Sequence, residues 1–321
     1  MERHAHRGVG TEAPVAAAAD VDPAVAAVTV VTTGRWSAGA TASSPIARTL
    51  LAWAAYCCIG AVAAATLDVP TPYVPSTRGN VDEMLRLAAV QPGDVVYDLG
   101  SGDGRVVIAA ARDWGARAVG LDIDGELVAQ SREAARKEGV ADRTEFHVRD
   151  ALTADLREAS VVTMYLLTPL VNRLQPKLLK ELKPGSRIVA HEYGFADWKA
   201  DRHVQVSKNF FLYIVPAHVG GKWRLSTALP DGARDYDLEF QQRYQEVKGG
   251  ARVSGGYLPA FESRLAGERL TFVLNENDVS YRYEGRVAGS LIEGRVRWGF
   301  GPKQNEASWR AVRVGLPSGE E

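Results

Sequence analysis

The sequence predicts a two-part fold: a doubly wound, mostly parallel α/β sheet, followed by a C-terminal antiparallel all-β barrel or sandwich module. Two observations carry this prediction. Between Asp68 and about Val215, apolar runs of strand length alternate with stretches of helix length, the grammar of a parallel sheet covered on both faces. After Pro216 the helical period stops, and polar and apolar residues alternate between clusters of Gly, Asn and Asp. A chain of 321 residues is long enough for about two domains.

The first part contains five strand-like runs, at 94–100, 118–124, 144–150, 161–167 and 187–193. Helices are predicted over 81–90, 104–113, 125–138 and 169–182. In 125–138, Leu127, Val128, Ser131, Ala134 and Ala135 share one side and the charged residues fall largely on another. The β-module reads as KWRLST, YDLEFQQRYQEV, RLTFVLN, VSYRYEGRV, LIEGRVRWGF and SWRAVRV. Its glycines, such as Gly249-Gly250, Gly255-Gly256 and Gly285, are expected at strand ends and turns. Trp223, Trp298 and Trp309 read as core, with the lining of a ligand cup as the other reading.

Two segments precede these. Residues 1–46 are rich in Ala, Val, Thr, Gly and Ser without an amphipathic period, which reads as a disordered leader. Residues 47–67 form an apolar segment in which Thr49 to Leu67 is uncharged, between Arg48 and Asp68. It has the length of a membrane anchor and the small residues of a signal-peptide cleavage site, and a buried helix is the third reading. Membrane association or export through residues 49–67 is therefore expected, with a cytoplasmic protein as the alternative. The domain boundaries expected are thus 1–46, 47–67, 68–215 and 216–321.

Composition excludes several classes. With 38 Lys and Arg against 39 Asp and Glu, the chain lacks the basic surplus of a dedicated nucleic-acid binder. Its two cysteines, Cys57 and Cys58, are neighbours in the apolar segment, which rules out a disulfide scaffold or a cysteine-rich zinc site. The histidines show no metal-ligand spacing, and no Gly-x-Ser-x-Gly elbow occurs, so no metal is expected.

The informative stretch runs from Asp94 to Arg105, a strand leading through Asp98-Leu99-Gly100-Ser101-Gly102-Asp103-Gly104 into a helix. Its G-x-G-x-G spacing differs from the G-x-G-x-x-G of a dinucleotide site. The acids Asp98 and Asp103 would repel a pyrophosphate but suit a ligand carrying an ammonium and a sulfonium. Asp122 closes the second strand about twenty residues later, where an acid can accept hydrogen bonds from ribose hydroxyls. Asp150 closes the third at the same carboxyl edge, where ligands of open parallel sheets bind.

On these residues the chain resembles the class I, seven-β-strand, Rossmann-like methyltransferases that use S-adenosyl-L-methionine, over about residues 78–215. The resemblance implies that Asp98, Gly100 and Gly102 flank the methionine part of the cofactor, Asp122 the ribose and Asp150 the adenine amine. Ser101, Asp103, Gly104, Ile123 and Ala151 adjoin them and are expected at the same site. A narrower resemblance starts at Pro70-Thr-Pro72-Tyr73-Val74-Pro75 and continues through 100–111 and Trp198. It is to the protein-lysine methyltransferases of the ATP synthase c-subunit and the adenine nucleotide translocase. That resemblance implies methyl transfer to a lysine side chain of a protein substrate. The mitochondrial members lack a β-module, and Tyr165-Leu-Leu-Thr168-Pro169 is not the Asn/Asp-Pro-Pro-Tyr clamp of amide and adenine methyltransferases.

The remaining candidates sit at strand ends. His191 and Glu192 finish the fifth strand and could take the amine proton or orient the amine, or simply end a strand. Tyr73 and Tyr165 could close over the cofactor or pack. Two other functions fit the pattern: a methyltransferase acting on a small molecule, and an envelope binding protein with a vestigial cofactor fold.

Overall fold

The computed structural model describes residues 73–299 and 304–315. The expected leader (1–46) and apolar segment (47–67) lie outside the described residues. Among those described, no helix is long and apolar enough to cross a membrane.

The first sheet has seven strands: β1 (Val95–Leu99), β2 (Arg117–Asp122), β3 (Thr144–Val148), β4 (Val161–Met164), β5 (Arg187–His191), β6 (Arg202–Gln205) and β7 (Asn209–Ile214). Their order is β3-β2-β1-β4-β5-β7-β6. β1 to β5 are parallel, and β7 and β6 add an antiparallel hairpin beyond β5. This hairpin escaped the sequence reading because β6 is short and mostly exposed, without apolar alternation.

Strand side chains alternate between two cores, as the period of two requires. On one face Val96, Ala118, Val161 and Val189 pack with α1 (Arg78–Leu87), α2 (Arg105–Trp114) and α3 (Gly125–Lys137). On the other, Leu99, Val119, Val162 and Ile188 pack with α4 (Thr168–Glu181) and the loop before β4. α1 starts earlier than expected because Thr77 caps it, accepting from the Asn80 N–H at 3.3 Å.

The second sheet is antiparallel, with nine strands: β8 (Gly221–Leu229), β9 (Gly232–Arg243), β10 (Glu246–Val253), β11 (Gly256–Pro259), β12 (Phe261–Ala266), β13 (Arg269–Glu276), β14 (Val279–Ala288), β15 (Leu291–Trp298) and β16 (Asn305–Gly315). Two meanders meet at the β8–β16 pair. The edge strands β11 and β12 are consecutive in the chain, joined at Ala260, so the sheet curls into a nearly closed barrel. Trp223 and Trp309 are buried in its core, and their indole N–H groups donate to the carbonyls of Val219 and Glu284. Several glycines expected in turns lie inside strands instead. A Cβ on Gly285 would meet the Trp309 ring at 2.5 Å, and one on Gly249 the Glu239 carbonyl at 2.0 Å. These positions admit a close neighbour rather than bend the chain.

Candidate active site

The turn after β1 is built almost entirely by backbone. Gly100, Gly102 and Gly104 hold φ of 77°, 54° and 79°, a region that L side chains disfavour. The Gly100 and Ser101 N–H groups donate to the Leu121 carbonyl at 2.8 and 3.0 Å, locking the turn to the end of β2. A Cβ on Gly104 would strike Phe146 and Ser131 at 2.7 and 2.8 Å, so α2 can start here only on glycine. The Ser131 hydroxyl completes this packing by donating to the Gly102 carbonyl at 2.9 Å.

Asp122 is oriented from both sides. One carboxylate oxygen accepts from the Gly102 N–H at 2.7 Å, the other from the Asp124 N–H at 3.0 Å. Asp124 in turn caps α3, accepting from Glu126 and Leu127. Ile123 between them is 75% exposed, an apolar platform at the strand edge. Asp150 is exposed and accepts from the Leu152 N–H at 2.8 Å, beside half-buried Ala151. The Arg149 N–H donates to the Asp122 carbonyl, which brings the two acidic strand ends together.

Asp98 is buried at the end of β1 and accepts from the Thr163 hydroxyl at 2.7 Å. Burial pushes its carboxyl up to about 7, the Thr163 bond opposes this, and the charges of Asp122 and Asp103 add to it. Burial would also raise Asp103, but the Arg105 guanidinium holds it below the usual carboxylate range. Arg105 also donates to the Ser76 carbonyl, which ties the turn to the lead-in segment. Tyr73 of that segment lies over the turn: a Cβ on Gly102 would meet its ring at 2.2 Å. Leu166, after β4, faces Gly100 in the same way at 2.8 Å.

The site thus fits a ligand with positive charge and vicinal hydroxyls. It offers a glycine backbone, four carboxylates and a wall of movable side chains. Ser101 enters it only through its backbone. Its hydroxyl turns into the core, where a Cβ on Gly120 would lie 2.7 Å from it, and it has no hydrogen-bond partner among the described residues.

The ends of β4 and β5 form the other half of the edge. His191 is 1% exposed, and its ring nitrogens lie 3.1 Å from the Ser76 hydroxyl and 3.4 Å from the Asn80 amide. The ring stacks on Phe210 at 4.9 Å, with Tyr165 4.0 Å away on a tilted plane. Burial lowers its pKa to about 4. Half-buried Glu192 accepts from the Asn209 N–H at 3.2 Å, and the Lys208 ammonium lies 3.8 Å from its other oxygen. Sequence reasoning missed Thr163, Ser76 and Asn80. Thr163 could have been found by pairing β1 with β4, where it lies opposite Asp98.

Comparison with known proteins bears on this geometry. Residues 98–202 match the model of the ANTKMT methyltransferase domain. The chain is 40% identical over 153 residues to a protein-lysine N-methyltransferase of Saccharolobus islandicus, covering 46% of this chain and 95% of that protein. The chain belongs to the protein-lysine N-methyltransferase family of that relative. It is a methyltransferase, and its glycine turn and strand-end acids lie within residues 98–202 that match the domain model. The ATP synthase c-subunit lysine N-methyltransferase of Xenopus laevis is 36% identical over 44% of this chain and 61% of its own length. A Salinibacter ruber RNA methyltransferase, solved with S-adenosyl-L-homocysteine, is 45% identical over 46% of this chain and 96% of that chain, with a TM-score of 0.45.

Proposed function

We propose that the protein transfers the methyl group of S-adenosyl-L-methionine to the side-chain amine of a lysine in a protein substrate. The observation that supports this reading most is the gathering of Asp98, Asp103 and Asp122 around a glycine turn, in a chain whose relative is a protein-lysine N-methyltransferase. Bound there, the cofactor supplies a methyl group already carried on a sulfonium leaving group. What remains for the protein is to bind, orient and exclude water.

Asp122 is held in place to accept from the ribose hydroxyls. Ile123 and Ala151 would border the adenine, and Asp150 would accept from its amine. The backbone of Gly100, Ser101, Gly102 and Gly104 admits the methionine part, beside the negative charge of Asp98 and Asp103. Tyr73 covers the turn, and Tyr165 borders the reacting end.

A lysine amine must lose its proton before it can attack. His191 is a poor acceptor of that proton, because both ring nitrogens face partners and burial disfavours its charged form. We assign it to holding the lead-in segment and α1 against β5. Glu192 is assigned to orient the incoming ammonium, as it already attracts Lys208, and the proton leaves to water. The uncharged segment 49–67 supports membrane association or export of the enzyme, and membrane fractionation distinguishes this from a cytoplasmic protein.

Calorimetry of the full chain with S-adenosyl-L-methionine tests the cofactor, and absence of binding by a folded sample would remove it. Labelled cofactor with a whole-cell extract tests the acceptor. Methyl-lysine in hydrolysed protein is the expected product. Label confined to small molecules or RNA would refute the lysine assignment.

A further inference from the structure

The loop from β5 to β6 begins under strain. Glu192 holds φ 68°, and the Tyr193 N–H donates back to the His191 carbonyl at 2.9 Å, closing a γ-turn around it. A side chain keeps such a conformation only where its surroundings over-determine it. The residues that follow are indeed fixed one after another. The Phe195 N–H donates to the Tyr213 hydroxyl at 3.0 Å, and the Ala196 N–H to Asn172 of α4 at 3.0 Å.

The next three residues are fixed largely by the barrel. The two-residue turn between β9 and β10, Tyr244-Gln245, reaches across to them. The Tyr244 hydroxyl donates to Asp197 at 2.8 Å, and Gln175 of α4 donates to both, at 2.7 and 3.0 Å. The Tyr244 ring stacks on Trp198 at 5.3 Å. Gln245 accepts from the Trp198 indole N–H at 2.7 Å and donates to the Lys199 carbonyl at 2.6 Å. Tyr244 sits at φ 53°, on the first residue of a hairpin turn, where glycine is normally favoured. A tyrosine at that position is costly unless its side chain is needed.

We propose that Tyr244 and Gln245, at the tip of the barrel's β9–β10 hairpin, are positioning residues for methyl transfer: they lock loop 194–200 and thereby hold Glu192 and exposed Tyr193 at the acceptor edge of β5. This rests on reading that edge as the acceptor side. The barrel is then a structural part of the transfer site. The glycine turn, by contrast, is bonded to β2 and α3 and makes no hydrogen bond to the barrel among the described residues. Cofactor binding and acceptor positioning are therefore separable.

The test uses the full chain with Tyr244→Ala/Gln245→Ala and, as the conservative change, Tyr244→Phe. Tyr244→Phe keeps the stack on Trp198 and loses the hydroxyl's bonds. Three quantities are measured: amide hydrogen exchange over 192–200, affinity for S-adenosyl-L-homocysteine by calorimetry, and methyl transfer to poly-L-lysine at saturating cofactor. In the double variant, exchange at 195–199 is expected to rise about tenfold or more and transfer to fall by about as much. Cofactor-product affinity should stay within about twofold, and Tyr244→Phe should fall between the double variant and the wild type. Unchanged exchange at 195–199 would overturn the proposal, as would a loosened loop with full transfer. Parallel loss of S-adenosyl-L-homocysteine binding would also overturn it, because the two functions would not be separable. A wild-type chain inactive on poly-L-lysine would count against the acceptor reading alone, while hydrogen exchange and thermal unfolding still test whether the hairpin holds the loop. Glu192→Gly relieves the strained turn but also removes the bond from the Asn209 N–H in either background, so the difference is what counts: its Tm shift should be more positive by about 2–4 °C in the wild type than in the double variant. Equal shifts in both would show that the hairpin does not sustain the turn.

Discussion

The two halves of one sheet edge are organised by different means. At the ends of β1 and β2, the bonds are made by backbone N–H groups within a short span of chain: Gly100 and Ser101 donate to the Leu121 carbonyl, and Gly102 to the Asp122 carboxylate. At the end of β5, side chains arrive from far away in sequence. Ser76 and Asn80 hold His191, and the barrel holds the loop that follows Glu192. The first half is a cradle that any ligand of the right chemistry can use. The second depends on distant elements and can change with them. This division matches a common donor and a variable acceptor. It predicts that substitutions in the first half act on cofactor affinity and those in the second on positioning or stability.

The largest effect is expected at Asp122. Asp122→Ala removes the carboxylate that joins the turn to α3 and the acceptors for the ribose hydroxyls. Hydrogen bonds to a charged group contribute roughly 1.5–3 kcal/mol each, so losing two should weaken S-adenosyl-L-methionine binding by about 100-fold or more in calorimetry. A loss of less than about fivefold would mean that the ribose does not lie at this strand end.

Next is the pH dependence set by Asp98. Its carboxyl is raised from 3.8 to about 7, so between those values the folded protein binds a proton that the unfolded chain has lost. Stability contributed at low pH therefore falls as pH rises from about 4 to about 7. A cationic ligand favours the carboxylate, so cofactor affinity should move the other way. It should rise with pH and level off above about 7, falling by about tenfold for each pH unit below. Asp98→Asn should flatten the profile, and Thr163→Val should move its midpoint up by removing the opposing bond. A profile flat in the wild type would place the cofactor's charge away from β1.

These two predictions concern the half that was legible in the sequence, and the reason is physical. The glycines, Asp98 and Asp122 act through fixed local spacing: a strand, a turn, a helix and one crossover bring them together wherever this pattern folds. The antiparallel pattern after Pro216 was legible for the same reason, since alternation is local. Thr163, Ser76 and Asn80 were not, because their roles depend on tertiary register. Nor was the Tyr244-Gln245 turn, which lies inside the strand-like run YDLEFQQRYQEV and which the structure makes the break between β9 and β10. Residue type alone left His191 open as a proton acceptor, an orienter of the amine or a strand end, and its burial supports the positioning role proposed above.

His191→Phe tests the second half with a smaller effect. The ring volume and the stack on Phe210 are kept, while the Ser76 hydroxyl and the Asn80 amide lose their partner. Leaving buried polar groups unsatisfied costs about 1–3 kcal/mol, measurable as a lower denaturation midpoint. Cofactor affinity should stay within about twofold. The wild-type transfer rate should show no inflection attributable to His191 between pH 5 and 8, since the ring is already neutral there. An inflection near 6.5 that disappears in the variant would restore His191 as the proton acceptor.

The smallest effect sharpens the comparison most, because it separates a ligand contact from a structural one. Ile123 is 75% exposed in the midst of a strand end otherwise held by polar bonds, so its side chain contributes little to the fold. Truncation to alanine should leave Tm nearly unchanged. If the adenine covers it, the lost apolar contact is worth about 1 kcal/mol, which is roughly a fivefold weaker affinity for S-adenosyl-L-methionine. That loss should be independent of pH, because it involves no titrating group, unlike the loss at Asp98. Affinity equal to wild type would move the adenine off the β2 edge, while Asp122→Ala would still report on the ribose. A fall in Tm comparable to that of His191→Phe would instead mean that Ile123 belongs to the protein's own packing, and the separation drawn between the two halves of the edge would fail at this residue.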